Sequence, residues 1–234
     1  MIAHFLALTI AAAPASPKVG HAAAEPRRGA TQTVARPAPR RTTILDNATV
    51  TVTRLRFAPG SGETVHTYDS PLVLIQLTDG DLVDLAVRDE PVHGPRVAGL
   101  VTFVPAGSEH AVANAGTTPF EMMAVAIKTT RRPALTAPPT DAPPGITRTT
   151  LVDNQDVRVV RVELTPGSRE PVHTHPHDLL TVQLNAGRLQ IRVAGSRTDA
   201  RRPVGFTRFI RRNTSHAYVN QGDRTIEILS VSIK

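Results

Sequence analysis

The chain has 234 residues, of which 40% are hydrophobic and only 3% aromatic, with twenty Pro, fifteen Gly and no Cys. This excludes a disulfide scaffold, a thiolate metal site and a cysteine nucleophile, and the lack of any run of about eighteen apolar residues excludes a membrane-spanning helix. The net charge of +7 is uneven: residues 1–42 carry +5, residues 43–128 carry −5 and residues 129–234 carry +7. No basic patch is interleaved with aromatics, which argues against a nucleic-acid partner.

In chain order, an apolar stretch from Phe5 to Ala13 precedes the small-x-small pattern Ala13-Pro14-Ala15. Residues 1–15 therefore read as a signal peptide, and the protein as secreted or periplasmic. Residues 16–41, rich in Ala, Pro and Arg without periodicity, read as a disordered lead-in. Short β-branched or alternating runs follow at Val50 to Phe57, Val65 to Thr67, Val73 to Leu77, Leu82 to Val87 and Met122 to Ile127. Turn signals such as Ala58-Pro59-Gly60 and Asp79-Gly80 separate them, and no segment carries a helical stripe. These runs define a β segment over 42–128. A Pro-rich linker spans 129–148, and a second β segment spans 149–234.

The second segment repeats the first. Ile44-Leu45-Asp46-Asn47 returns as Leu151-Val152-Asp153-Asn154, Pro59-Gly60-Ser61 as Pro166-Gly167-Ser168, and Val65-His66-Thr67 as Val172-His173-Thr174, all at an offset of 107. Gly99, Phe103, His110 and Asn114 return as Gly205, Phe209, His216 and Asn220 at an offset of 106. The chain reads as a tandem duplication with one residue fewer in a loop of the second copy.

Six of the nine histidines sit on this repeat: His66, His110, His173, His175, His177 and His216. His173 and His175 are two apart on a predicted strand, so both project to one face, and His216 follows on another strand. Three neutral imidazoles suit a first-row divalent metal, whether Fe, Zn, Ni, Cu or Mn. An empty or organic-ligand pocket is the competing reading. His177 is either a partner orienting a ligand or a solvated turn residue. Tyr218 shares face parity with His216, so it either lines the same cavity or packs in the core. Arg211 is one of several arginines that cluster with the triad in the sequence, and such groups would attract an anion.

The spacings resemble the two motifs of the cupin superfamily, G-x5-H-x-H-x3,4-E-x6-G and G-x5-P-x-G-x2-H-x3-N. The first copy carries Gly99, Pro105, Gly107, His110 and Asn114; the second carries Gly167, His173, His175 and Gly187, then Gly205, His216 and Asn220. The resemblance covers residues 42–234. It implies an all-β protein of two tandem double-stranded β-helix, jelly-roll-like barrels, similar to uncharacterised exported bacterial cupins, and a homodimer. The motif glutamate falls at Val73 and Leu180, so neither copy keeps it. Tyr68 replaces the second histidine of the first copy, leaving His66, Tyr68 and His110 as a degenerate site. In the second copy Arg211 and Asn213 stand where the motif has Pro and Gly.

The family's range implies dioxygenase chemistry first, with isomerase or decarboxylase chemistry alongside, on a small anionic molecule. The alternative is a non-catalytic small-ligand-binding cupin with degenerate metal sites. No catalytic residue is identified from the sequence.

Overall fold

The computed structural model describes residues 36–84, 92–128 and 142–234. The segment read from the sequence as a signal peptide, and the larger parts of those read as lead-in and linker, lie outside these residues. Every regular element among the described residues is a strand. The first half runs β1 (Arg40–Asp46), β2 (Val50–Phe57), β3 (His66–Thr67), β4 (Leu72–Gln76), β5 (Gly80–Asp84), β6 (Val92–Arg96), β7 (Val101–Val104), β8 (Glu109–His110), β9 (Val112–Asn114) and β10 (Phe120–Ile127). The second runs β11 (Ile146–Asp153), β12 (Val157–Leu164), β13 (Asp178–Gln183), β14 (Gly187–Val193), β15 (Ser196–Arg202), β16 (Thr207–Ile210), β17 (His216–Asn220) and β18 (Ile226–Ile233).

The halves share one topology. A five-stranded sheet ordered β1-β2-β10-β4-β7 faces a small sheet β6-β5-β9, and the second half repeats this as β11-β12-β18-β13-β16 and β15-β14-β17. Strand ends differ from expectation at two places. The edge strand β1 begins at Arg40, within the expected lead-in, because its backbone pairs with Arg56 and Leu55 of β2. Likewise β11 begins at Ile146, within the expected linker, through pairing with Leu164.

Alternation along the strands explains where the core lies. On β2, Val50 and Val52 point one way and Leu55 and Phe57 the other; on β12, Val157 and Val159 oppose Val162 and Leu164. One parity fills the interior of each half. The other forms a single core shared between the halves, from Val50, Val52, Val73, Ile75, Leu77, Met123, Val125 and Ile127 against their repeat equivalents Val157, Val159, Leu180, Val182, Leu184, Leu229, Val231 and Ile233. Both large sheets are thus covered on two faces, which is why β4 is buried at every position. At roughly 1.5–3 kcal/mol per buried aliphatic side chain, this shared core dominates the contact between halves.

The motif asparagines have a structural task. Asn114 donates through Nδ2 to the carbonyls of Phe57 and Thr118, and Asn220 does the same to Leu164 and Arg224. Each closes the turn before the last strand of its half. The motif glycines at Gly80 and Gly187 begin β5 and β14, where a Cβ would run into the side chains of Phe120 and Ile226.

Candidate metal centre

The triad is assembled by the backbone. His173 and His216 form an isolated antiparallel bridge, exchanging both hydrogen bonds at 3.0 and 2.9 Å. This sets their rings side by side, with centroids 4.3 Å apart. His175 is not on a strand, contrary to expectation. Its place comes instead from the turn at 211–214, where the Asn213 N–H donates to the His175 carbonyl at 2.7 Å. Asn213 holds φ at 58°, the left-handed conformation that Gly107 holds in the first half while donating to the Tyr68 carbonyl. Asparagine tolerates that conformation, so the departure from the glycine of the motif leaves the turn intact.

Tautomers follow from the partners. Nδ1 of His173 lies 2.8 Å from the Pro171 carbonyl and Nδ1 of His216 lies 3.4 Å from that of Thr214. A carbonyl only accepts, so each Nδ1 carries the proton and each Nε2 presents a lone pair. Nε2 of His173 is 3.0 Å from Nε2 of His175, and one ligand atom from each of the three rings lies within 4.8 Å of the others. Burial, then the neighbouring imidazoles, pushes His175 down to about 4; burial and His173 do the same to His216. Both rings are therefore neutral at pH 7, which is the form that ligates. The donor set fits a divalent metal.

A carboxylate also reaches the site, by a route the sequence reading missed. Glu170, buried, accepts from Arg148 Nη2 at 2.8 Å, and its Oε1 lies 3.9 Å from His173 Nε2. Nη1 of the same arginine is buried without a partner. The signal was available: Arg41 and Glu63 occupy the same positions one repeat earlier and form the same ion pair. The guanidinium ion-paired to this carboxylate is Arg148.

Tyr218 packs in the second-half core with its ring centroid 5.8 Å from that of His216, and its hydroxyl donates to Thr181 Oγ1 at 3.3 Å. Burial pushes its phenol above the ordinary range. His177 is neither a ligand-orienting partner nor a solvated turn residue: it is 6% exposed and neither ring nitrogen is hydrogen bonded. Together with Arg211 it lines a cleft that includes none of the three triad histidines. In the first half His66 pairs with His110 across β3 and β8, and the ring centroids of His66 and Tyr68 lie 4.5 Å apart.

No protein-family model matches the chain. Over 74 residues it is 45% identical to the beta-alanine degradation protein BauB of Pseudomonas aeruginosa, a match that covers 32% of this chain and 77% of that protein. The fold superposes on the cupin 2 conserved barrel domain protein of Leptotrichia buccalis with a TM-score of 0.56 at 14% identity, covering 84% of this chain and 89% of that one. The chain belongs to the family of BauB, and its fold is the cupin fold. It also resembles a mutant salicylate 1,2-dioxygenase of Pseudoaminobacter salicylatoxidans, with a TM-score of 0.62 at 11% identity, covering 80% and 72% of the two chains.

Against the cupin motif the chain lacks the acidic residue, and the structure corrects where that position lies. Leu180 and Val73, the expected sites of the motif glutamate, point into the core shared by the halves and away from the histidines. The neighbouring Leu179 and Leu72 face the interiors. The choice between three and four intervening residues decides the parity, and three is the inward one. Both inward residues are leucines, so no carboxylate replaces the missing ligand on that strand.

Proposed function

We propose that the chain is an exported two-barrel cupin, arisen by tandem duplication, whose C-terminal barrel (149–234) holds a divalent transition metal through Nε2 of His173, His175 and His216. It acts on a small anionic molecule, with dioxygenase-like chemistry as the reaction class, while the N-terminal barrel (42–128) is degenerate. The observation that carries this reading is the convergence of three imidazoles, two of which have Nδ1 directed at a backbone carbonyl and Nε2 turned inward.

Such a metal supplies Lewis-acid polarisation of a substrate oxygen and, for iron, one-electron redox chemistry. The protein's own groups do the rest. The carbonyls of Pro171 and Thr214 fix the orientation of their rings. Glu170 Oε1 is placed to take a proton from a substrate seated against His173, and the Arg148 ion pair holds that carboxylate in place. The spare N–H groups of Arg148 Nη1 favour a substrate oxyanion. Tyr218 and the surrounding core keep water from the inner side, whereas His173, with 29% of its side chain exposed, marks the open side.

Elemental analysis of the purified protein tests the reading. About one metal per chain is expected, lost in His173→Ala and in His175→Ala. A substoichiometric metal content unchanged by those substitutions overturns it. Oxygen consumption across a panel of small carboxylates then separates an oxygenase from a ligand-binding cupin, the second reading, which the missing strand carboxylate favours.

A further inference from the structure

The repeat gives each position an internal control, because a residue present in only one half is not required by the fold. A cleft of about 510 Å³ opens where the halves meet, lined by Thr49 of the first half and by His177, Phe209, Arg211, Arg212 and Lys234 of the second. Three of these are new to the second half. The counterparts of His177, Arg211 and Arg212 are Ser70, Pro105 and Ala106, whereas Phe209 and Lys234 repeat Phe103 and Lys128. A shared framework has therefore been given an imidazole and two guanidinium groups at one of its two equivalent places.

These groups are uncommitted. Among the described residues no ion pair or hydrogen bond engages the guanidinium of Arg211 or Arg212. Lys234 is already bound to Asp153 Oδ1 at 2.6 Å. The acidic residue of the cleft, Asp178, has both oxygens occupied, one by the Arg212 backbone N–H at 2.9 Å and the other by the Thr49 hydroxyl at 3.0 Å. His177 is 94% buried at this cleft with neither nitrogen paired, an arrangement that costs free energy unless a partner arrives. Phe209 and Ile233 add an apolar wall.

We propose that this cleft is a second binding site, separate from the metal centre, for a small organic anion. Its carboxylate or phosphate is held by the Arg211 and Arg212 guanidinium forks, His177 supplies a further N–H, and the apolar part of the ligand lies on Phe209. Guanidinium suits this task because its planar donors match a carboxylate or phosphate edge in pairs.

The test is calorimetric titration with inorganic phosphate, with benzoate and with uncharged benzyl alcohol, run on the His173→Ala variant so that no metal at the triad competes. Saturable binding of at least one anion and none of benzyl alcohol is expected; phosphate alone binding identifies a phosphate ligand, and benzoate alone a carboxylate. Arg211→Pro combined with Arg212→Ala installs the residues of the other half and is expected to weaken binding at least tenfold. Arg211→Gln with Arg212→Gln provides the same measurement if the first pair alters folding. His177→Ser is expected to weaken binding several-fold. Unchanged affinity in both arginine pairs, or no saturable binding of either anion, overturns the proposal.

Discussion

His66 and His173 stand in the same backbone setting, each directing Nδ1 at the carbonyl two residues earlier at 2.8 Å, and each paired across a short ladder with a second histidine, His110 or His216. Two residues further on the halves part. The second half has His175, a neutral ring with its Nε2 3.0 Å from that of His173; the first has Tyr68, whose phenol burial pushes far above the ordinary range and so keeps protonated. His110 completes the contrast, with Nδ1 3.6 Å from Asp84 and Nε2 buried without a partner. The same fold thus accommodates three imidazoles in one half and two imidazoles with a phenol in the other.

The largest effect comes from breaking what the halves share. Leu180→Glu, although it restores a motif residue in name, buries a carboxylate in the common core. It is expected to cost about 4 kcal/mol or more, read as the denaturant midpoint, and Val73→Glu should behave alike. A mild effect in either would mean that these positions face the histidines after all. Next, Tyr68→His should turn the degenerate site into a copy of the other, raising metal content from about one towards two per chain by elemental analysis. A content that stays at one would show that Asp84 holds His110 out of position.

Smaller effects sharpen the difference between the two carboxylate–arginine pairs. Glu170→Gln is expected to lower metal affinity roughly ten- to a hundredfold by chelator competition, with Glu63→Gln leaving it unchanged. Equal effects would make both pairs structural. The gentlest test is pH. His175 and His216 are held near 4 in the folded, metal-free protein, below their ordinary value near 6.5. The unfolded chain therefore binds more protons between those values, so stability should fall as pH drops from about 6.5 towards 4 and stay level above. Thermal melting should show this slope in the parent and a flatter one in a variant with both histidines replaced by Ala; equal slopes would show that these rings are not the cause.

Much of this was legible in the residues. The strand Val50 to Phe57 was read end to end because its alternation reports half-burial on a pleated sheet. The triad was legible because the repeat marks His173 and His216 and the motif spacing adds His175. Glu170 and Arg148 were missed although they too recur at the repeat offset, since an acid and a base far apart in sequence form a pair only once β11 lies beside the loop before His173.

What the sequence alone determined is the all-β class, the repeat and the identity of the imidazoles, since these rest on local alternation and on spacing within one chain. Tertiary structure alone decided which face each residue takes. A one-residue difference in counting sends Leu180 into the shared core and Leu179 into the interior, because neighbouring strand residues point to opposite sides. It also decided that Arg211 and His177 belong to a cleft between the halves, because that cleft exists only when two separately encoded sheets are packed face to face.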